Sequence, residues 1–455
     1  MERNLRQPDR LSELPDDVLL SILSQIPHRE AAATAILARR WRYLFSSLPS
    51  LYLTRYSLLP AEDSDQSSDG EFEPSRWLDT VFAILAARRC PLVAVHFEFD
   101  IVDHDADAVS QVLHSLCDSG VEELSIAQFS KPFYGLPSGV LSCRTIKHLI
   151  LNRCRLTIPC TYPGLQCLTS LSLLVVFITD EDFRRLVSRL HALEDLTVVY
   201  CSKLTNLVIS APVLNKLAIS TVKPLNIVLE NAPRLASVTV NFAYLFYDGS
   251  WRNNDEDGCS HDRWYPNDED EESEVSRLIR FLMQLSHIES LTLKFPLPYN
   301  MRLDRENVSL PKSLPSGHFL MNLKKLDLSM HFDDKYFLLI LTCLLNSSPN
   351  LRELIVRQDK PNGCAKLAEA DYWDKQIPPE CVRNQLSTAT LFTHYEVWNN
   401  WLDLAWFLLS YSRVLNRMII SYREESYNQS AWKELFLLRS AFPGVRIEYN
   451  TESRL

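Results

Sequence analysis

Apolar positions recur along this chain with the spacing L-x-x-L-x-L, other aliphatics and aromatics substituting. The pattern stands at Leu92-Val95-Phe97, Val121-Leu124-Ile126, Ile146-Leu149-Leu151, Leu168-Leu171-Leu173, Leu193-Leu196-Val198 and Leu214-Leu217-Ile219. It continues at Leu235-Val238-Val240, Ile288-Leu291-Leu293, Leu323-Leu326-Leu328, Leu351-Leu354-Val356, Leu386-Ala389-Leu391, Leu415-Met418-Ile420 and Phe442-Val445-Ile447. Successive starts lie 29, 25, 22, 25, 21, 21, 53, 35, 28, 35, 29 and 27 residues apart. Within each, the last two apolar positions flank a single residue, the alternation of a half-buried strand.

Between these strands run helical stripes. Trp77, Val81, Ile84 and Leu85 form one, and Val109, Val112, Leu113 and Leu116 another. Phe183, Leu186, Val187 and Leu190 form a third, and Val275, Leu278, Ile279 and Leu282 a fourth; Tyr336 to Leu345 is apolar all round. A strand with one helix cannot bury itself alone, but stacked copies share a continuous core. Pattern and period resemble leucine-rich repeats. The resemblance implies an α/β fold: a curved solenoid with parallel strands on its concave face and helices on its convex face. Cys154 and Cys201 follow the last strand aliphatic by three residues, where that family puts a buried Asn or Cys. Leu204-Leu207-Ile209 adds the pattern only eleven residues after Leu193, which predicts a strand or extended turn on the convex side in place of a helix.

Charge explains the one long interval. Residues 253–274 hold ten acids and one base, and residues 62–73 hold six acids and no base. Set against a total of −10, these two stretches leave a mildly basic body. The 253–274 stretch reads as a surface loop inserted in a single repeat. No basic stripe with interleaved aromatics appears, so nucleic-acid binding is not expected. The N-terminus is polar, which argues against a secretory signal. The longest apolar run, Phe337 to Leu345, is far below the ~18–20 residues a bilayer crossing needs.

Eleven cysteines without a C-x-x-C point to reduced, buried, inert thiols rather than zinc or disulfides. Ten glycines in 455 residues leave little material for phosphate-binding loops. No G-x-G-x-x-G, Gly-Lys-Ser/Thr or G-x-S-x-G occurs. Asp255-Glu256-Asp257-Gly258 has the start of a calcium loop, but the twelfth position is Trp264 instead of a bidentate Glu. Cys259 and His261 lack a second pair at zinc spacing. No metal, no cofactor and no catalytic residue is therefore expected, and the chain reads as a non-enzyme.

The first fifty residues differ from the rest. Asp16 and Asp17 follow Pro15, suiting a helix N-terminus. Val18, Leu19, Ile22, Leu23 and Ile26 recur at helical spacing, and Pro27 ends that helix. A second helix runs through Glu30 to Ala38, and a third starts near Arg39 with Trp41, Leu44 and Phe45 on one side. So short a segment is too small to stand alone and reads as a docking device. Asp9, Arg10, Leu11, Ser12, Leu14, Pro15, Asp16 and Asp17, with Ile22-Leu23 and Arg40-Trp41-Arg42, resemble the plant-type F-box. Arg39 and Phe45 stand where that family usually has Lys and Trp. The resemblance implies docking on a Skp-type adaptor and, through it, a cullin. Leu14, Pro15, Ile22, Leu23, Ile26, Leu37, Trp41 and Leu44 would supply the adaptor-facing or module-core surface, Trp41 foremost.

Toward the other end, Tyr372-Trp373 and Ile377-Pro378-Pro379-Glu380-Cys381 precede the Leu386 repeat, and Val414 to Ile420 follows Leu402–Leu409. This resembles the FBD domain found after such repeats in plant F-box proteins, although His394 to Trp401 replaces that family's Gly and Glu. The expected organisation is a flexible 1–8, an F-box at 9–53, an acidic linker at 54–75, repeats over 76–370 and an FBD-like region over 371–455 that caps the stack.

Together the resemblances imply a substrate receptor of a Skp–cullin–F-box ubiquitin ligase, working in the nucleus or cytoplasm, its target an unidentified protein. Residues between and just after the last two strand aliphatics face away from the helices. That predicts a target surface including Asn152, Thr197, Tyr200, Asn241, Lys294, Asp327, Ser329, Arg357 and Phe392. An interaction scaffold without a ligase role is the alternative. So is a small-molecule sensor with a pocket lined by Trp398, Trp401 and Trp406.

Overall fold

The computed structural model describes residues 11, 13–54, 74–99, 106–129, 133–221, 226–242, 274–295, 310–330, 335–358, 371–393, 399–423 and 436–452. The flexible start 1–8, the acidic stretch 62–73, the calcium-like loop with Cys259, His261 and Trp264, and Trp398 lie outside them. The chain divides into two compact units, Met1–Leu193 with Cys201–Lys203, and Glu194–Tyr200 with Leu204–Leu455.

The first unit opens with three short helices. Helix α1 spans Asp16–Leu23 with extended Pro15 at its N-cap and the Asp16–Asp17 pair in its first turn. It stops before Pro27, which instead caps the start of α2, His28–Thr34. Both prolines are therefore starting signals. Helix α3 covers Arg39–Ser46. Leu19, Leu23, Ala31, Trp41, Leu44 and Leu48 form one core, with Leu14, Leu20, Ile26 and Phe45 packed on it.

Strand β1, Ser50–Leu53, follows α3 after three residues. It pairs in parallel with β2, Ala94–Phe99, placing Leu51 beside Val95 and Leu53 beside Phe97. Leu48-Leu51-Leu53 is thus a further copy of the repeat pattern at the end of the docking segment. Beyond β2 come β3, Glu123–Gln128; β4, Tyr134–Gly135; β5, His148–Asn152; β6, Cys154–Arg155; and β7, Ser170–Leu174. The sheet order here is β1-β2-β3-β5-β7, all parallel, while β4 and β6 pair separately.

Helices cover the inner face. On α4, Pro74–Ala86, Trp77 stacks on Phe97 at 5.6 Å. Helix α5, Ala106–Asp118, buries Val109, Val112, Leu113 and Leu116, the stripe its spacing predicts. A single turn, α6, spans Ser138–Leu141. Helix α7, Asp180–Val187, is capped by Thr179, whose Oγ1 accepts from the Asp182 N–H at 3.1 Å.

Each repeat must turn sharply at its strand's end. Arg153 after β5 and Val175 after β7 take positive φ, 57° and 55°. The next residue enters the core: Cys154 is buried, its thiol donating to the Asn152 carbonyl at 3.4 Å. Cys201 donates likewise to Leu173 O at 3.6 Å. Cys154 thus closes its own turn, whereas Cys201 ties its turn back to β7. Burial of the other thiols is uneven, since Cys160 and Cys167 are exposed.

The second unit repeats the theme. Its strands are β8 (Asp195–Val199), β10 (Lys216–Ser220), β12 (Ser237–Asn241), β13 (Ser290–Lys294), β14 (Lys325–Met330), β15 (Glu353–Gln358), β16 (Thr388–Thr393), β17 (Arg417–Arg423) and β18 (Arg446–Glu452). They are parallel and neighbours in that order. Leu196, Leu217, Val238, Leu291, Leu326, Leu354, Ala389, Met418 and Ile447 share one inward row, so the sequence repeat is a register repeat.

Leu204-Leu207-Ile209 becomes β9, Asn206–Ser210, which joins β11, Asn226–Asn231, in a separate two-stranded sheet. Gln284, two residues beyond α8 (Glu274–Leu282), finishes that sheet. Its Oε1 accepts from Leu229 N–H at 2.9 Å and its Nε2 donates to Ile227 O at 3.1 Å, standing in for a further strand. Helices α9 (Lys335–Ser347), α10 (Glu380–Asn384) and α11 (Asn399–Tyr411) alternate with the later strands. Tyr372 accepts or donates a hydrogen bond with Thr342 at 2.9 Å, and Trp373 packs on Phe407 at 5.0 Å. The 371–452 segment therefore continues the strand–helix alternation, ending in β18.

Candidate interaction surfaces

The adaptor-facing residues proposed from sequence divide in two. Leu23, Trp41 and Leu44 are core, 1%, 7% and 0% exposed, and Leu14 and Ile26 pack on that core. Pro15, Ile22 and Leu37 reach the surface, Leu37 at 72% exposure. Val18 and Ile36 lie at the surface too, Ile36 at 84%. Ile36 and Leu37 occupy a turn after α2 whose N–H groups reach back to Ala33 O and Thr34 O. The module thus closes its own core and still displays large aliphatics. Isolated exposed apolar residues are ordinary, but an adjacent Ile–Leu pair this open on a helical turn asks for a cover.

Polar contacts hold the module's shape. Arg40 reaches from α3 to Asp16 at 2.6 Å and to Leu14 O at 2.6 Å, tying α3 to the start of α1. Both side chains are about half exposed, so the ion pair itself adds at most ~1 kcal/mol. His28 meets Ser50 O at 3.1 Å, fastening α2 to β1, and Arg88, just beyond α4, donates to Leu48 O in the α3–β1 connection. Burial lowers the Arg88 guanidinium from its usual value.

On the second unit's outward strand face, register brings five target candidates into one row. Asn241, Lys294, Ser329, Arg357 and Phe392 are consecutive neighbours across β12 to β16. Thr197 and Asp327 lie on the adjoining row of that face. The Arg357 guanidinium sits 4.2 Å from the Phe392 ring centroid and bonds Asp327 at 3.2 Å. That contact fixes a planar cation over an aromatic face. Lys294 is exposed, whereas Ser329 is only 7% exposed between its flanking strands. Tyr200 is not a strand residue: it follows β8 in the left-handed region, φ 51°.

Asn152 belongs to the first unit, apart from that row. Its face carries a ladder that sequence reading missed, Tyr52–His96–Ser125–Ile150. Tyr52 and His96 rings are 5.9 Å apart, and His96 Nδ1 meets Ser125 Oγ at 2.9 Å. Tyr52 is 53% exposed. The available signal was the Leu48-Leu51-Leu53 spacing, which marks Tyr52 as outward.

Comparison with known families places these parts. The F-box domain matches residues 11–53, and the At1g61320/AtMIF1 LRR domain matches residues 92–435. The chain belongs to the F-box/leucine-rich-repeat family. Among relatives in Arabidopsis thaliana, the F-box/FBD/LRR-repeat protein At1g13570 is 25% identical over 421 residues, 91% of each chain. The F-box/FBD/LRR-repeat protein At2g04230 is 26% identical over 91% of this chain and 89% of its own. The probable FBD-associated F-box protein At1g32375 is 25% identical over 97% of this chain and 100% of its own. The F-box is the three-helix module, and the repeats supply the strand faces.

Two tryptophans considered for a pocket are explained by packing in this F-box/leucine-rich-repeat protein. Trp401 is 1% exposed, and Trp406 meets Phe442 edge-on at 5.4 Å. Among the described residues no cluster of three metal-ligating side chains occurs, and no helix is long and apolar enough to cross a membrane.

Proposed function

We propose that this F-box/leucine-rich-repeat chain is a substrate receptor of a Skp–cullin–F-box ubiquitin ligase. The F-box docks on a Skp-type adaptor, the adaptor joins a cullin, and the repeat face holds a target protein. The supporting observation is the exposed Ile36–Leu37 turn with Val18 and Ile22 on a module whose core is already complete. Exposed aliphatics of this kind suit the apolar part of a protein–protein interface. The chain's part is non-catalytic: it raises the local concentration of a target lysine near the ubiquitin thioester carried by another subunit. It works in the nucleus or cytoplasm, where a tagged copy should be seen.

The test is affinity capture of the full chain followed by mass spectrometry, with and without proteasome inhibition. A Skp adaptor and a cullin should co-purify, and at least one further partner should accumulate when the proteasome is blocked. Capture without adaptor and cullin overturns the proposal.

A further inference from the structure

Cations line the end of the second unit's sheet at which its strands begin, and most of them are matched. Lys216 meets Asp195 at 3.7 Å, Lys324 meets Glu289 at 3.0 Å and Lys325 meets Glu353 at 3.0 Å. Each of these pairs bridges two neighbouring strands or the residues leading into them. From β15 onward the matching fails. Arg352, Arg383 and Arg413 are exposed, and among the described residues no carboxylate lies within ion-pair distance of them. Glu353 is already held by Lys325, and Glu448 is shared by Arg417 and Arg446 at 2.7 Å each.

Main-chain hydrogen bonds gather these arginines. Arg413 N–H donates to Arg383 O at 3.1 Å, joining the residues after α11 to α10. Ser387, leading into β16, donates its N–H to Arg352 O at 2.9 Å, and its own carbonyl accepts from Arg417 N–H at 3.3 Å. Register then adds repulsion: Arg352 lies beside Lys324, whose carbonyl takes its N–H at 2.9 Å, and Arg417 lies beside Arg446. Like charges on neighbouring strands oppose folding. Packing therefore leaves this excess unexplained, while an anion laid across it relieves the repulsion. Arginine is the suited cation, its planar fork meeting a carboxylate with two parallel donors.

We propose that Arg352, Arg383 and Arg413 seat an acidic, carboxylate-rich segment of the target protein. The proposal extends the receptor reading and rests on it only in naming the segment's bearer a target. From Thr388 beside this seat to Phe392 on the target row is ~13 Å of strand, within the span of a short extended peptide. One segment can thus touch the Arg357–Phe392 pair and the arginines together. Exposed ion pairs are individually weak. Their part is to draw in and orient a segment that the row's other contacts also hold.

The full chain is titrated with a fluorescent peptide of glutamate and glycine, beside a glutamine–glycine peptide of equal length. The glutamate peptide should bind at least ~10-fold more tightly, and its affinity should fall as sodium chloride rises from about 50 to about 300 mM. Arg352→Glu, Arg383→Glu and Arg413→Glu combined should lower that affinity at least ~10-fold with no fall in melting temperature. Equal binding of the two peptides by the wild-type chain, or none, overturns the proposal whether or not the variant folds. Undiminished binding by a folded variant does the same. A phosphoserine peptide or a single-stranded DNA bound in place of the glutamate peptide overturns it as well, as does binding that appears only after residues 253–274 are removed. These titrations need no adaptor. Their failure with adaptor and cullin still captured strikes only this seat; failed capture with the peptide still bound strikes only the receptor reading.

Discussion

Replacing Ile36 and Leu37 together by serine should break adaptor docking and leave the F-box folded. The two side chains are 84% and 72% exposed in the free chain. Full burial of such a side chain is worth about 1.5–3 kcal/mol. Scaled by those exposures, covering both contributes about 2–5 kcal/mol to binding, so the Kd should rise ~50-fold or more. Stability should change by less than ~0.5 kcal/mol, because surface positions outside the core carry little. Titration calorimetry of the full chain against a Skp adaptor, beside a thermal melt of each variant, reads both quantities. Trp41→Ala would be a poorer choice, since Trp41 is 7% exposed and its truncation costs about 3–5 kcal/mol of the module's stability. Loss of binding there could mean only loss of the fold. A Kd within ~3-fold of wild type for the serine pair, with an unchanged melt, would refute the reasoning and move docking to another face.

Other outcomes follow from single contacts. Val175 is β-branched at φ 55°, where Asn is far better tolerated, so Val175→Asn should raise stability by about 1 kcal/mol in a denaturant melt. A lower midpoint would mean that Val175's packing outweighs its backbone strain. Gln284→Ala removes both hydrogen bonds to β11 and should cost about 1–3 kcal/mol, with faster amide exchange at Leu229. Lys294→Glu combined with Phe392→Ala should abolish target capture while adaptor binding stays intact. Unaltered capture in pull-down would take the target off that row. Glu448 is held below its usual carboxylate pKa by Arg417, so its contribution is present above the unfolded value and fades as acid carries the pH through the lowered one. Glu448→Gln should flatten that limb of the melting temperature against pH.

Spacing made most of the architecture legible, because a strand's inward residues must alternate and a stacked repeat must return in register. All thirteen copies read from the sequence lie on or lead into strands, and even the odd Leu204-Leu207-Ile209 copy marks a true strand, β9. The Leu48-Leu51-Leu53 copy escaped because it overlaps the N-terminal helical segment, where Leu48 packs with the helices while Leu51 and Leu53 alternate along β1. The sharp turns escaped for a different reason. Arg153, Val175 and Tyr200 hold positive φ without the glycine that ordinarily signals it. Leu37 could be proposed from a resemblance, but separating it from Trp41 required knowing which neighbours fill the module's core. Hydrophobicity alone does not distinguish an aliphatic that is packed from one that is waiting.

The passage from α3 into β1 carries a mechanical consequence. Only three residues join them, His28 and Arg88 fasten the junction, and Leu48 belongs to the helical core while leading into the strand. There is no slack to let the grip and the first repeats swivel independently. Within that unit, distance from the grip is counted out in strand spacings of ~4.8 Å. Under the proposed receptor role, inserting or deleting one repeat there would shift a target held in that unit by that step, so repeat number would act as a ruler.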